Sequence, residues 1–178
     1  MIRAEQITPS WLTDRFRKNG HLAQGFVENV QIGKEFESTA AFLTPLKITY
    51  SGDVEEGLHR NIILKRYRED WFGGGLAESI FYNDIATRIS SPPTVRRYDF
   101  DFERSTRQCY FLLEDASPTH DLEPPQEDTF TIDLFKQVID SILKFHIGWW
   151  DAEELKGEDF LRATGEPLCM IHASTTDV

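Results

Sequence analysis

The chain reads as five short strand-forming runs with a single helix set among them, and that order limits the folds open to it. The runs are Val27 to Gly33, Ala41 to Tyr50, Asn61 to Tyr67, Val95 to Phe100 and Gln108 to Leu113. Between the third and the fourth, Ile80, Phe81, Ile85 and Ile89 recur at helical spacing within a helix predicted over Leu76 to Ile89. A doubly wound parallel sheet needs a crossover helix between successive strands, so this order disfavours it. The pattern predicts an α+β lobe: about five antiparallel strands in one sheet, crossed by one helix.

Local signals sharpen the boundaries. Thr8 can cap a first helix, Pro9 fits its first position and Gly20 can end it. Trp11, Leu12, Arg15 and Phe16 gather the apolar groups of that helix on one side. Pro45 lacks an amide hydrogen, so it argues for an edge or a bulge in the second run. Ser51-Gly52-Asp53 and Gly57 mark a turn or loop, and Gly73-Gly74-Gly75 reads as flexible punctuation before the helix. Ser90-Ser91-Pro92-Pro93 stops that helix. Ser117 to Thr129 is acidic, holds three prolines and reads as a linker. A long amphipathic helix follows, from about Thr131 to Trp150. Beyond it, Asp151 to Leu161 fits a polar helix, and Leu168 to Val178 has no periodic pattern.

Composition narrows the function classes. The 178 residues suit one domain with a true core, or part of a larger one. Lys and Arg number 19 against 30 Asp and Glu, a formal net charge of −11. That acidity argues against nucleic acid as a partner, because such binding rests on neutralising phosphates. It also disfavours attachment to an anionic membrane surface. No apolar run is long enough to span a bilayer, and Met1 to Gln6 has no signal-peptide character. Cys109 and Cys169 read as two unpaired thiols of a reducing compartment, and the five histidines lack metal-site spacing. A cytoplasmic protein is the resulting expectation.

The chemistry centres on Lys65 and Glu78. A lysine on the third strand, then a helix bearing a glutamate, then two strands and a hinge, suits a site for nucleotide phosphates. The lysine holds the phosphates and the carboxylate holds the lysine. These segments resemble the aminoglycoside phosphotransferase and choline kinase superfamily, closest to its ecdysteroid-kinase-like branch. The likeness covers residues 7 to 150. It is carried by Ile7-Thr8-Pro9-Ser10-Trp11-Leu12-Thr13, by Ile62-Ile63-Leu64-Lys65, and by Glu78-Ser79-Ile80-Phe81-Tyr82. Phe111-Leu112-Leu113-Glu114-Asp115 and Leu143-Lys144-Phe145-His146-Ile147-Gly148-Trp149-Trp150 complete it.

The resemblance implies a protein-kinase-like N-lobe over 1–116, a hinge or linker over 117–130, and the incomplete start of a C-lobe over 131–178. It implies that Lys65 contacts the phosphates of ATP and pairs with Glu78. It implies that backbone groups from Glu114 to Ala116 hold the adenine, and that Gly33 with Lys34 to Thr39 forms the loop over the phosphates. Full-length relatives use ATP and Mg2+ and carry a His-Gly-Asp loop that supplies the catalytic aspartate. Neither His146 nor His172 begins such a loop, and no later aspartate suits magnesium. The expectation is a partial ATP-dependent small-molecule phosphotransferase without its catalytic half. The alternative is a non-catalytic nucleotide- or protein-binding module. The acceptor is not specified by these residues.

On the last helix, His146 reads as a hydrogen-bonded core histidine, and Trp149 and Trp150 as packing residues. The width of its apolar stripe predicts self-association through 131–150, a collapsed tail or a partner.

Overall fold

The computed structural model describes residues 2–52, 54, 57–120 and 131–153. The chain forms two compact units, Met1–Phe72 with Val95–Glu123, and Gly73–Thr94 with Pro124–Val178.

The first unit is built on helix α1 (Pro9–Lys18) and six strands. Thr8 caps α1 by accepting from the Trp11 amide at 3.2 Å, and Pro9 takes the first helical position. Leu12 and Phe16, one turn apart, are fully buried against the sheet. The strands are β1 (Val27–Ile32), β2 (Phe36–Glu37), β3 (Ala41–Tyr50), β4 (Asn61–Tyr67), β5 (Arg97–Glu103) and β6 (Gln108–Glu114). Their order in the sheet is β1-β3-β4-β6-β5, all pairs antiparallel, with β2 also paired to β3. The α+β expectation therefore holds, with one short strand more than the sequence predicts. Two residues are too few for a periodic signal, so β2 was invisible there.

Pro45 lies in an inner strand, between β1 and β4, rather than at an edge. Its carbonyl accepts from the Gly33 amide at 2.8 Å, so the amide position of Pro45 faces the same neighbour. The missing N–H thus falls where the neighbouring strand is interrupted, between β1 and β2. The ladder tolerates proline because the break lies in the partner strand.

Register divides the sheet into two faces. Thr44, Leu46 and Ile48 of β3, Ile62 and Leu64 of β4, and Leu112 of β6 share the face that α1 covers. All six are essentially buried and form the core. Burying side chains of this size stabilises by about 1.5–3 kcal/mol each. Leu43, Pro45, Ile63, Lys65, Phe111 and Leu113 share the opposite face.

Helix α2 runs Phe72–Ile80 and belongs to the second unit from Gly73 on, as does α3 (Ile132–Trp149). The three glycines at 73–75 are inside α2 and not before it. Glycine in a helix costs about 1 kcal/mol relative to alanine. Burial of Phe72 and Leu76 at either end of the glycine run offsets that cost. After Ile80 the helix widens to one π turn over Phe81–Ile85 and tightens to a 3-10 turn over Ala86–Arg88.

Within this unit, α3 lays one side on these turns. Phe145 meets Phe81 at 5.6 Å between ring centroids, and Trp149 Nε1 donates to the Ile85 carbonyl at 3.1 Å. Gly148 permits this approach, since a Cβ there would stand 3.0 Å from Ile89. Trp149 is a packing residue as read from the sequence. Trp150 is 81% exposed and His146 is exposed rather than buried. His146 is therefore not the buried core histidine expected on this mostly apolar helix.

Residues 154–178, with the predicted polar helix after residue 153, lie outside the described residues, as does the linker over 121–130.

Candidate functional site

Lys65 sits in β4, the central strand of the sheet, directly opposite Leu43 of β3 and Phe111 of β6. Its side chain projects from the face that α1 does not cover. Its Nζ lies 4.8 Å from the ring centroid of Tyr67, two residues along the same face. Tyr67, Phe111 and Phe100 form an aromatic row beside it, with centroid distances of 6.2 and 4.5 Å.

Two residues before Lys65, Ile63 lies between Pro45 and Leu113. These three make an apolar platform, with Pro45 and Ile63 half-buried and Leu113 nearly covered. Gly33 borders the platform from the β1 side. A Cβ on Gly33 would approach the Pro45 oxygen at 3.1 Å and the Pro45 Cβ at 3.2 Å, so only glycine fits without displacing β3. Gly33 is therefore a close-approach residue at the strand interruption, while the hairpin itself turns at Ser38–Ala40. There the Ser38 amide and hydroxyl both donate to the Ala41 carbonyl, at 2.8 and 2.9 Å. Ser38 spends its donors on closing the turn.

At the far end of the platform the chain leaves β6 through Glu114, Asp115 and Ala116. The Glu114 amide donates to Arg96 at 2.8 Å, and the Asp115 amide to Asn61 at 3.1 Å. The Ala116 carbonyl accepts from the Thr119 and His120 amides at 3.0 and 2.9 Å. Among the described residues, the half-buried Ala116 amide donates to no protein group.

The Glu114 carboxylate points the other way, onto the α1 face. One oxygen lies 3.3 Å from His59 Nε2, and the other accepts from the Arg96 amide at 3.0 Å. The Tyr98 hydroxyl accepts from the His59 amide at 3.0 Å and lies 2.7 Å from His59 Nδ1. Burial holds the Tyr98 phenol above its ordinary pKa, so the hydroxyl keeps its proton. Of Glu114, only the backbone is left to the platform side.

A second polar group ties α1 to the hairpin of β5 and β6. Asp99 is 4% exposed, and it accepts from Asn19 Nδ2 and the Tyr110 hydroxyl, each at 2.7 Å. Arg15 Nε lies 3.2 Å from Asp99, and Arg15 Nη2 2.7 Å from Asp101. Burial, and then the bond to Asp99, raise the pKa of Tyr110. This network is structural: each member satisfies another, and the buried charge is paired. The sequence analysis missed it. Its one local signal was an acidic residue in mid-strand among aromatics, Tyr98-Asp99-Phe100.

Glu78 is half-buried on α2, in the second unit, so its expected pairing with Lys65 spans the two units. Among the described residues, no group of three or more His, Cys, Asp or Glu side chains could hold a metal ion. Cys109 is a buried free thiol, and Cys169 lies outside the described residues. No described helix is long and apolar enough to cross a membrane. No family model, curated protein or solved structure matches the chain.

Proposed function

We propose that the Lys65 face of the sheet is the nucleotide side of a kinase-like N-lobe. The chain would be a partial small-molecule phosphotransferase, nearest the ecdysteroid-kinase-like branch of the aminoglycoside phosphotransferase and choline kinase superfamily. The observation that carries the reading is one juxtaposition. A lysine on the central strand shares its face with a half-covered platform of Pro45, Ile63 and Leu113. That platform ends beside a backbone amide, Ala116, with no protein acceptor among the described residues. A flat apolar surface suits an adenine ring, a single amide donor suits a ring nitrogen, and a lysine suits phosphate oxygens. The order of elements supports it as well: the lysine strand, a helix with Glu78, two strands, then the exit at Glu114 to Ala116.

In this reading Lys65 holds the phosphates, Glu78 pairs with it, and Ala116 fixes the base. Gly33 shapes the edge of the platform next to the loop over the phosphates. No step of phosphoryl transfer is assigned to these residues. Transfer depends on positioned charge and metal, and a His-Gly-Asp loop is not among them. That lack favours a second reading, a module that binds nucleotide without turning it over.

Calorimetric titration with ATP, with and without Mg2+, tests the shared claim. Wild type binds, and Lys65→Ala binds more weakly by about 1.5–3 kcal/mol, the range for a bond to a charged group. Equal affinity in both proteins, or none in either, overturns the nucleotide reading. Hydrolysis or transfer by the wild-type chain would overturn the non-catalytic one.

A further inference from the structure

The segment 33–39, read as the loop over the phosphates, carries three charged residues, Lys34, Glu35 and Glu37. Two carboxylates facing a phosphate site would repel its ligand. The register turns them away from it. Phe36 stands opposite Leu43, and Leu43 opposite Lys65, so these three form a row on the Lys65 face. Glu37 stands opposite Phe42, and Phe42 opposite Arg66, on the α1 face. The Glu35 carboxylate reaches that same face. Its Oε2 accepts from the buried Thr44 hydroxyl at 3.0 Å and from Arg66 Nη2. Glu37 Oε1 accepts from Arg68 Nη1 at 2.5 Å. Lys34 is exposed and has the sign that phosphate attracts.

The two ion pairs differ in weight. Glu37 and Arg68 are both well exposed, where such a pair contributes little. The Arg66 side chain is only 12% exposed, and its guanidinium lies 5.6 Å from the Phe42 ring centroid. Its Nε is buried without an acceptor, so Glu35 is the carboxylate that compensates this mostly buried cation. We propose that Arg66 is a positioning residue for the phosphate site. Through Glu35 it pins the loop 33–39 to β4 and keeps the loop's nearest carboxylate off the Lys65 face. Phe36 then marks the loop's approach, two strand spacings or about 10 Å from Lys65. The inference rests on the nucleotide reading and adds to it a residue on the other face of the lysine strand.

Titration of wild type, Arg66→Gln and the double variant Arg66→Gln/Glu35→Gln, with ATP and with adenosine, tests it. Arg66→Gln releases the Glu35 carboxylate, so ATP binds about fivefold more weakly while adenosine affinity is unchanged. Adding Glu35→Gln removes the repelling charge and restores most of the loss. Arg66→Lys keeps the cation and stays near wild type. Glu35→Ala, at a partly exposed side chain, speeds hydrogen exchange of the amides from Glu35 to Glu37 without nucleotide. Exchange as slow as in wild type overturns the pinning. An equal loss for ATP and adenosine, or a double variant no tighter than the single one, makes Arg66 a packing residue and overturns the proposal. Wild-type ATP affinity in Arg66→Gln overturns it too, and the nucleotide reading then still stands on Lys65→Ala. No ATP binding by wild type overturns both.

Discussion

Thr44, Leu46 and Ile48 of β3, Ile62 and Leu64 of β4 and Leu112 of β6 are buried on the face toward α1, whereas no residue of α3 is buried. The two regions meet the same demand differently. The sheet unit closes on itself. α1 covers one face, the Arg15–Asp99–Tyr110 group satisfies the buried charge where helix meets hairpin, and His59 with Tyr98 locks the end of β6. Helix α3 instead shows solvent a continuous stripe. Burial in one region completes a fold, and in the other Ile132, Ile139, Ile142 and Ile147 stay exposed.

The comparison breaks most readily at Asp99. Replacing Asp99 with alanine removes the shared buried acceptor of Arg15, Asn19 and the Tyr110 hydroxyl, leaves Arg15 its bond to Asp101 and Asn19 its bond to the Arg15 carbonyl, and should cost about 1–3 kcal/mol in urea unfolding. Ile142→Ala, on the exposed stripe, should stay within about 0.5 kcal/mol for the monomer. Equal costs would mean that α3 is as much a part of the folded core as the sheet.

The two caps sharpen the contrast at a smaller scale. Thr8 and Thr131 each accept from an amide three residues on, both at 3.2 Å. Thr8→Ala should lower global stability by about 1 kcal/mol, because α1 folds with the sheet. Thr131→Ala should speed hydrogen exchange in the first turn of α3 and leave the urea midpoint of the sheet unit unchanged.

The smallest effect is a pH dependence. Burial, then the nearby Arg96 and Arg97, hold His21 below the ordinary imidazole pKa, and Arg96 Nη2 stands 3.3 Å from His21 Nδ1. The unfolded chain therefore takes up a proton before the folded one. The stability that neutral His21 confers is complete above the ordinary value near 6.5 and is lost as pH falls toward the lower folded value. His21→Gln should flatten that decline between about pH 7.5 and 5.5, read as the difference in urea midpoint from wild type. A steeper decline in the variant would contradict the assignment.

Much of this architecture was legible before any coordinates. The strands at 41–50 and 61–67 fall where the sequence places them, because half-buried strands write their period into the chain. The cap at Thr8 and the start of α3 near Thr131 were legible for the same local reason. What escaped was tertiary. The glycines at 73–75 lie inside a helix between the buried Phe72 and Leu76, a tertiary setting no local pattern announces. Asp99 and Arg15 are far apart in sequence, so no local pattern pairs them. Lys65 was legible as a strand lysine, but the turn of the Glu114 side chain to the opposite face was not, since it depends on His59. The residues that stand out for chemistry, Lys65 and the run Glu114 to Ala116, were named from sequence; the platform of Pro45, Ile63 and Leu113 between them came only from the register.

The most direct measurement is amide chemical-shift mapping of the wild-type chain during ATP titration. The account predicts saturable shifts at Ile63, Lys65, Leu113 and Ala116, with little change at Tyr98, Asp99 and Tyr110 on the α1 face. It predicts their loss in Lys65→Ala. Shifts confined to the α1 face, or identical in both proteins, would contradict the claim that the Lys65 face is the nucleotide side.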